Sequence, residues 1–226
     1  MNIEYELFKK STFKYPNLIK YGFIKELNGY KYEKNILNSN FKIIINVKDN
    51  KLTSKIIDLN FNDEYLNFKV DFNLSINNKI KEEYELILRD IKEKCTTESN
   101  FIFKQSNDIC NYIYKKYKVK PEFLWDTSPD NGVFRNKYNK KWFGIILNVS
   151  KNKLDSNYKQ EEVEVINIKL NETIINELLK EKGFFKAYHM NKKSWISIIL
   201  DSSLDNEIIY YLIDQSYDIV NKKIII

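Results

Sequence analysis

Glycine and proline are scarce in this chain, with five and three among 226 residues, and histidine occurs once. Two cysteines, Cys95 and Cys110, lack metal-site spacing and read as reduced thiols rather than as a disulfide framework. No apolar run approaches the roughly 18 residues of a transmembrane helix. The opening MNIEYELFKK carries acids and no apolar h-region, so no secretory signal is expected and the chain reads as cytoplasmic. There is no GxSxG, Walker loop, GxGxxG, HExxH or CxxC, and no Ser/His or Cys/His pair with support. These absences argue against the common hydrolase, nucleotide, metalloprotease and thiol chemistries. No cofactor and no enzymatic activity are expected.

What is present is ordinary in bulk. Hydrophobic residues make up 43% and charged residues 30%, the proportions of a globular protein with enough length for one large or two small cores. The abundance of Ile, Lys and Asn reflects an AT-rich coding bias, so isolated lysines carry little weight. Local charge carries more. The net charge is +6, and the stretch 115–153 more than accounts for it. Lys115, Lys116, Lys118, Lys120, Arg135, Lys137, Lys140, Lys141, Lys151 and Lys153 face only Glu122, Asp126 and Asp130 there.

Hydrophobic spacing divides the chain at the polar run Thr96-Thr97-Glu98-Ser99-Asn100, giving an α+β meander over 1–98 and a second α+β domain over 99–226. In the first, a short helix over 15–23 precedes an alternating strand through Phe41, Ile43, Ile45 and Val47. Asp49-Asn50 turns it into a second arm, Lys51–Leu59. A further strand runs through Leu66, Phe68, Val70, Phe72 and Leu74. A helix follows, capped by Asn77-Asn78, with the stripe Ile80, Tyr84, Ile87, Leu88, Ile91 and Cys95.

In the second domain a helix through Ile102, Ile109, Ile113 and Tyr117 ends before Pro121. Strands follow over 132–135 and 140–149; in the latter Phe143, Ile145, Leu147 and Val149 should face one way and Trp142, Gly144, Ile146 and Asn148 the other. A strand over 163–170 and a helix over 173–180 come next, with Gly183 suited to a helix C-cap. The last strand turns Ile196, Ile198 and Leu200 inward and Trp195, Ser197 and Ile199 outward. Ser203 is the expected N-cap of a closing helix through Ile208, Ile209, Leu212, Ile213, Ile219 and Val220.

Two basic tips beside tryptophans are the candidate site. In the first, Arg135, Lys137, Lys140 and Lys141 suit phosphate contacts, while Tyr138 and Trp142 suit base stacking or sugar packing. In the second, His189, Asn191, Lys192 and Lys193 precede Trp195, and Asn191 has the groups to read an adenine edge. Each residue also has a plain structural use. Lysines at hairpin tips discourage edge-to-edge aggregation. Asn191 suits an Asx-type bond in its own turn, a lone His is more often structural, and tryptophan is more often core than surface. Whether Trp142 and Trp195 are open depends on what covers their face of the sheet.

The segments YHMNKKSWISIILD and LIDQSYDIV (within 188–220), with Lys141-Trp142-Phe143 and Asn167-Ile168-Lys169-Leu170, resemble the MmcQ/YjbR family. The resemblance extends from about Phe101 to the end. It implies a CyaY-like α+β fold, an antiparallel sheet packed with helices, and a DNA-binding role through a double-wing surface. It says nothing about the first hundred residues, which read as an N-terminal extension. The iron role suggested by frataxin-like folds needs an acidic first helix; here that helix carries Lys104, Lys115, Lys116 and Lys118 against Asp108.

The expected function is therefore non-enzymatic DNA binding through the two tips, with no membrane partner and an open oligomeric state. The competing expectation is a protein-interaction module whose tryptophan-bearing faces meet a partner or a second copy. An enzyme or small-ligand binder ranks third, because no convergent polar set appears.

Overall fold

The structure is a computed structural model that describes residues 3–66 and 75–221. It divides into two compact units, Met1–Ser99 and Asn100–Ile226.

The first unit contains α1 (Ile3–Phe8), β1 (Ser11–Phe13), α2 (Tyr15–Tyr21), β2 (Ile24–Glu26), β3 (Gly29–Ile36), β4 (Phe41–Lys48), β5 (Lys51–Asp58), β6 (Asp63–Glu64), α3 (Ser75–Cys95) and β7 (Thr96–Glu98). Strands β2 to β6 form an antiparallel meander in chain order. Phe41, Ile43, Ile45 and Val47 are buried on β4, as their alternation requires, and meet the stripe of α3, which is buried at all six positions. Asp49 and Asn50 both take positive φ (49° and 60°), the backbone of a tight two-residue hairpin turn. The Asn50 side chain spans onto β1, accepting from Phe13 N at 2.8 Å and donating to Ser11 O at 2.9 Å.

One expectation changes here. The helix begins at Ser75, so Asn77 lies inside it, buried, and accepts a bond from the Tyr65 hydroxyl at 2.6 Å instead of capping. The polar run at Thr96 pairs as β7 with β1, and the ladder satisfies its backbone. Of the strand expected from Leu66 to Leu74, residues 67–74 lie outside the described residues.

The second unit contains α4 (Lys104–Tyr117), β8 (Glu122–Phe123), β9 (Gly132–Arg135), β10 (Trp142–Ser150), β11 (Glu162–Lys169), α5 (Glu172–Leu178), β12 (Phe184–Lys186), β13 (Trp195–Ile199) and α6 (Asn206–Asn221). Its sheet is antiparallel throughout, in the order β12-β13-β11-β10-β9-β8. The mixed α+β class with antiparallel sheets agrees with the sequence. One face carries the main core, where Ile166, Ile168, Ile196, Ile198 and Leu200 meet Ile109, Ile113, Ile209, Leu212 and Ile213 from α4 and α6.

Strand β10 departs from simple alternation. A register shift between Trp142 and Gly144 puts Phe143 and Ile146 on the helix-covered face, while Ile145, Leu147 and Val149 join the opposite one. A bulge adds one residue to one strand and so reverses every later side chain relative to the earlier ones. That opposite face is not open. Val133, Val163, Val165 and Ile199 complete a second buried cluster, with Trp142, Leu154, Phe185 and Tyr188 packed against it.

Helix α4 begins at Lys104, so Ile102 lies before it rather than on its stripe, and two caps also fall elsewhere than expected. Gly183 (φ +90°) lies beyond the end of α5, whose C-cap is Leu179, and the helix α6 starts at Asn206, not after Ser203. The Ser203 N–H is instead held by Asp201 Oδ1 at 3.0 Å, and Asp201 pairs with Lys151 at 3.3 Å.

The LIDQSY segment shows why serine and tyrosine stand where they do. The β10–β11 ladder ends at Gly144↔Ile168. Just beyond, the Ser216 hydroxyl from α6 accepts from Lys169 N at 2.8 Å and donates to Phe143 O at 2.5 Å. It bridges the two backbone groups that the strands no longer satisfy for each other. Ser216 is fully buried, so water cannot substitute freely. Replacing Ser216 by Ala is expected to cost about 2 kcal/mol of unfolding free energy, the range for leaving buried backbone groups unpaired. Chemical denaturation at neutral pH measures it, and an unchanged midpoint would contradict the role.

Candidate nucleic-acid interface

The first tip, residues 136–141, connects β9 to β10. Its hairpin closes through Asn136 N to Lys141 O at 2.8 Å and Lys140 N to Asn136 O at 2.9 Å. Asn136 is buried, and its Oδ1 accepts from Tyr138 N at 2.9 Å and Asn139 N at 3.3 Å. The tip is also tied to the last turn of α6. Asn136 Nδ2 donates to Asn221 Oδ1 at 3.1 Å, and Asn139 Nδ2 to Val220 O at 2.8 Å. The bond to Val220 O satisfies one of the carbonyls that a helix end leaves open, and the nearby lysines complement the negative end of its dipole. The side chains of Lys137, Lys140 and Lys141 therefore point to solvent from a fixed base. They are exposed, and none forms an ion pair among the described residues.

The second tip, residues 187–194, connects β12 to β13. It is anchored by two fully buried polar side chains. Ser197 Oγ donates to Asn167 Oδ1 at 2.6 Å and accepts from Tyr188 N at 2.9 Å, while Asn167 Nδ2 donates to Tyr188 O at 2.8 Å. Asn191 Oδ1 accepts from Lys193 N at 2.9 Å, the Asx-type turn bond, and its carbonyl receives Trp195 N at 2.9 Å. Lys192 and Lys193 are exposed. His189 is exposed with φ 56°, its ring edge-on to Tyr188 at 4.0 Å. No group of His, Cys, Asp or Glu among the described residues has the arrangement of a metal site.

Sheet register brings the tips together. Strands β10 and β13 both run antiparallel to β11, so they run parallel to each other and begin at the same end. Only β11 lies between them, which sets the two strand starts about 10 Å apart. Lys169, the last residue of β11, lies at that end and is paired in register with Trp195. Lysines from two turns and one strand end thus share one rim.

The aromatic side of the site needs correction. Trp195 is buried at 8% exposure, so of the two uses its strand position left open it takes the core one. It supports the sheet and has no free ring face to offer. Trp142 is half-buried, edge-on to Trp125 with centroids 6.0 Å apart. Arg135 is engaged as well: its Nε lies 3.2 Å from Glu122 and its guanidinium 5.6 Å from the Trp142 ring, so its charge is largely met within the fold. Tyr138 is the exposed ring, at 74%, with Lys137 Nζ 4.8 Å from its centroid. Lys169 and Trp125 belong with the site although sequence reading did not place them there. Outward alternation from Ile168 signals the first, and an aromatic following Phe123-Leu124 in a non-helical stretch signals the second.

Part of the basic excess on α4 serves the fold. Lys116 pairs with Asp214 of α6 at 2.6 Å. Asp214 also accepts from Tyr112 at 2.8 and 2.9 Å and from Tyr117. Tyr112 stacks on Tyr210 and Tyr117 on Tyr217, both with centroids 3.9 Å apart. Burial works against ionisation of Asp214, but the bonds from Lys116, Tyr117 and Tyr112 outweigh it and hold the carboxyl below the usual range. Burial, and then the bond to Asp214, push the Tyr117 phenol well up. Burial raises the Cys110 thiol to about 11, against the lowering effect of the bond from Asn100, which suits an inert thiol.

Comparison with known proteins finds relatives of the second unit. The YjbR family model matches residues 114–219, within the second unit. The Bacillus subtilis (strain 168) protein YyaQ, itself uncharacterised, is 34% identical over 110 residues, covering 49% of this chain and 92% of YyaQ. The chain belongs to the YjbR family. A crystal structure of a Pseudomonas syringae protein is 33% identical and covers 50% of this chain and 95% of its own, with a TM-score of 0.48. A solution NMR structure from the same organism is 31% identical, covers 53% and 94%, and has the same TM-score. In this YjbR member the LIDQSY residues Asp214, Ser216 and Tyr217 hold α4, α6 and the sheet together, and the YHMNKKSW residues build the second tip.

The depressed Asp214 pKa has a stability consequence of definite sign. A carboxyl with a lower pKa in the folded state stabilises above its unfolded pKa, near ~4, and loses that contribution as pH falls through the folded value. The thermal midpoint of Asp214→Asn should lie below that of the native chain at pH 7, with the gap narrowing below about pH 4. A gap that stays constant down to pH 3 would contradict the assignment.

Proposed function

We propose that this protein binds DNA without catalysing a reaction on it, through the phosphate backbone and the two basic turns of its YjbR unit. The observation that carries the reading is the common end shared by Lys137, Lys140, Lys141, Lys169, Lys192 and Lys193, none of which has a counter-ion among the described residues. Unpaired ammonium groups gathered at one end of a sheet repel, and a polyanion relieves that repulsion while releasing its own condensed counterions. The two turns correspond to the wings of a double-wing, CyaY-like domain, and we assign the second unit to that fold. A cytoplasmic location suits this role.

Asn191 enters this reading only through its Nδ2, since its Oδ1 is committed to Lys193 N. Phosphate contact therefore dominates over base readout, and sequence preference should be weak. Six neutralised phosphates give a slope of about −5 in log affinity against log salt on duplex DNA. Fluorescence anisotropy between 50 and 200 mM salt measures it, and a flat dependence contradicts the proposal. Reversing Lys140, Lys141, Lys192 and Lys193 together to Glu should lower affinity by at least about 100-fold at 100 mM salt. All four side chains are exposed, so the fold should survive the change.

A second reading, a protein-interaction surface, draws support from one observation. Phe123, Leu124 and Trp125 are consecutively exposed, at 41, 43 and 37%. Sedimentation across a hundred-fold concentration range tests self-association, for which this reading expects a rising mass.

A further inference from the structure

We propose that the strand taken by this face is single-stranded DNA, with bases stacking on Tyr138 and on the Trp142–Trp125 pair while the lysines hold phosphates. The inference rests on the phosphate-binding reading above and names its substrate class.

Tyr138 is the most exposed aromatic among the described residues of its unit, at 74%. A phenol ring left so open gains little from the fold. Yet its backbone is fixed: Asn136 Oδ1 holds its N–H at 2.9 Å, and Asn136 and Asn139 are themselves bonded to the end of α6. A ring presented from a rigid base loses little entropy on contact, which suits a stacking platform. Lys137 Nζ, 4.8 Å from the ring centroid, puts a cation beside the same base position.

The indoles extend the platform. Trp142 begins the strand that leaves this tip, and Trp125 stands edge-on to it at 6.0 Å and 79°. Arg135 lies over Trp142 at 5.6 Å but is neutralised by Glu122, and Asp126 follows Trp125 in the exposed loop. Aromatic surface with local acids does not attract phosphate. The unpaired Lys140 and Lys141 beside it do. Charge thus steers the backbone over the turns and leaves the uncharged base faces to the rings.

Duplex DNA cannot use that division. Its base faces are stacked inside the helix, so the rings would meet only sugar edges and phosphates. A single strand exposes both faces of every base, and stacking on aromatics is tolerant of sequence.

The test uses the full chain with a fluorescein-labelled 20-nucleotide strand of mixed sequence and, separately, the same strand in a duplex. Anisotropy at 50 and 200 mM salt should show the single strand bound at least about ten-fold more tightly. Its salt slope should be shallower, about 0.7 against 0.9 per phosphate. Tyr138→Ala should weaken single-strand binding about ten-fold and duplex binding less than about two-fold, while Tyr138→Phe, which keeps the ring face, should bind like the native chain. Equal or tighter duplex binding, or a Tyr138→Ala variant that binds the single strand normally, would overturn the stacking proposal and leave salt-dependent phosphate binding standing. Binding of neither form at 50 mM salt would remove both.

Discussion

The antiparallel register of β10, β11 and β13 is the constraint on which the functional surface depends. Two strands that flank a common antiparallel neighbour must begin at the same end, whatever their distance in sequence. The turn before Trp142 and the turn before Trp195 are about fifty residues apart in the chain and about two strand spacings apart in the sheet. A register slip of one residue would send each inward side chain outward. Ser216 opposes such a slip at the β10–β11 end, and the Asn167–Ser197 pair opposes it at β11–β13. Fully bonded buried polar groups of this kind tie a sheet to one pairing.

The same groups link fold and site. Asn167 and Ser197 hold Tyr188 and hence the second tip; Asn136 and Asn139 hold the first tip on α6; Ser216 holds α6 on β10 and β11 at the sheet end that both tips share. The glycine-poor composition shows in how the tips turn. Lys140 and His189 occupy positive-φ positions that glycine usually fills, at 61° and 56°. For such side chains the left-handed region costs roughly 1–2 kcal/mol, and the side-chain anchors offset it. The lysine at the first tip keeps a charge where glycine would have none.

Much of this was legible in sequence because it rests on period. The stripe of α3, the inward set Ile196, Ile198 and Leu200, and the hairpin at Asp49-Asn50 follow directly from spacing and turn chemistry. Ile208, expected inward on α6, is instead 45% exposed, since one stripe on a helix cannot bury every apolar position. Strand β3 escaped notice: its Tyr, Lys and Glu side chains are half-exposed on both sides, so no alternation marks it. The bulge in β10 was invisible because an inserted residue leaves no compositional trace. The burial of Trp195 was undecidable for a different reason. Alternation says which side of a strand a residue takes, not what lies on that side. The positions of the two tips were legible; their shared end required the strand order.

The central claim, that two turns distant in sequence act as one anionic-polymer surface, is tested most directly by backbone amide NMR during titration with an oligonucleotide. The account predicts that amides of residues 136–141, of residues 188–194 and of Lys169 shift together with one midpoint, while those of α3 stay still. Shifts confined to one turn, or two turns responding with different midpoints, would contradict it.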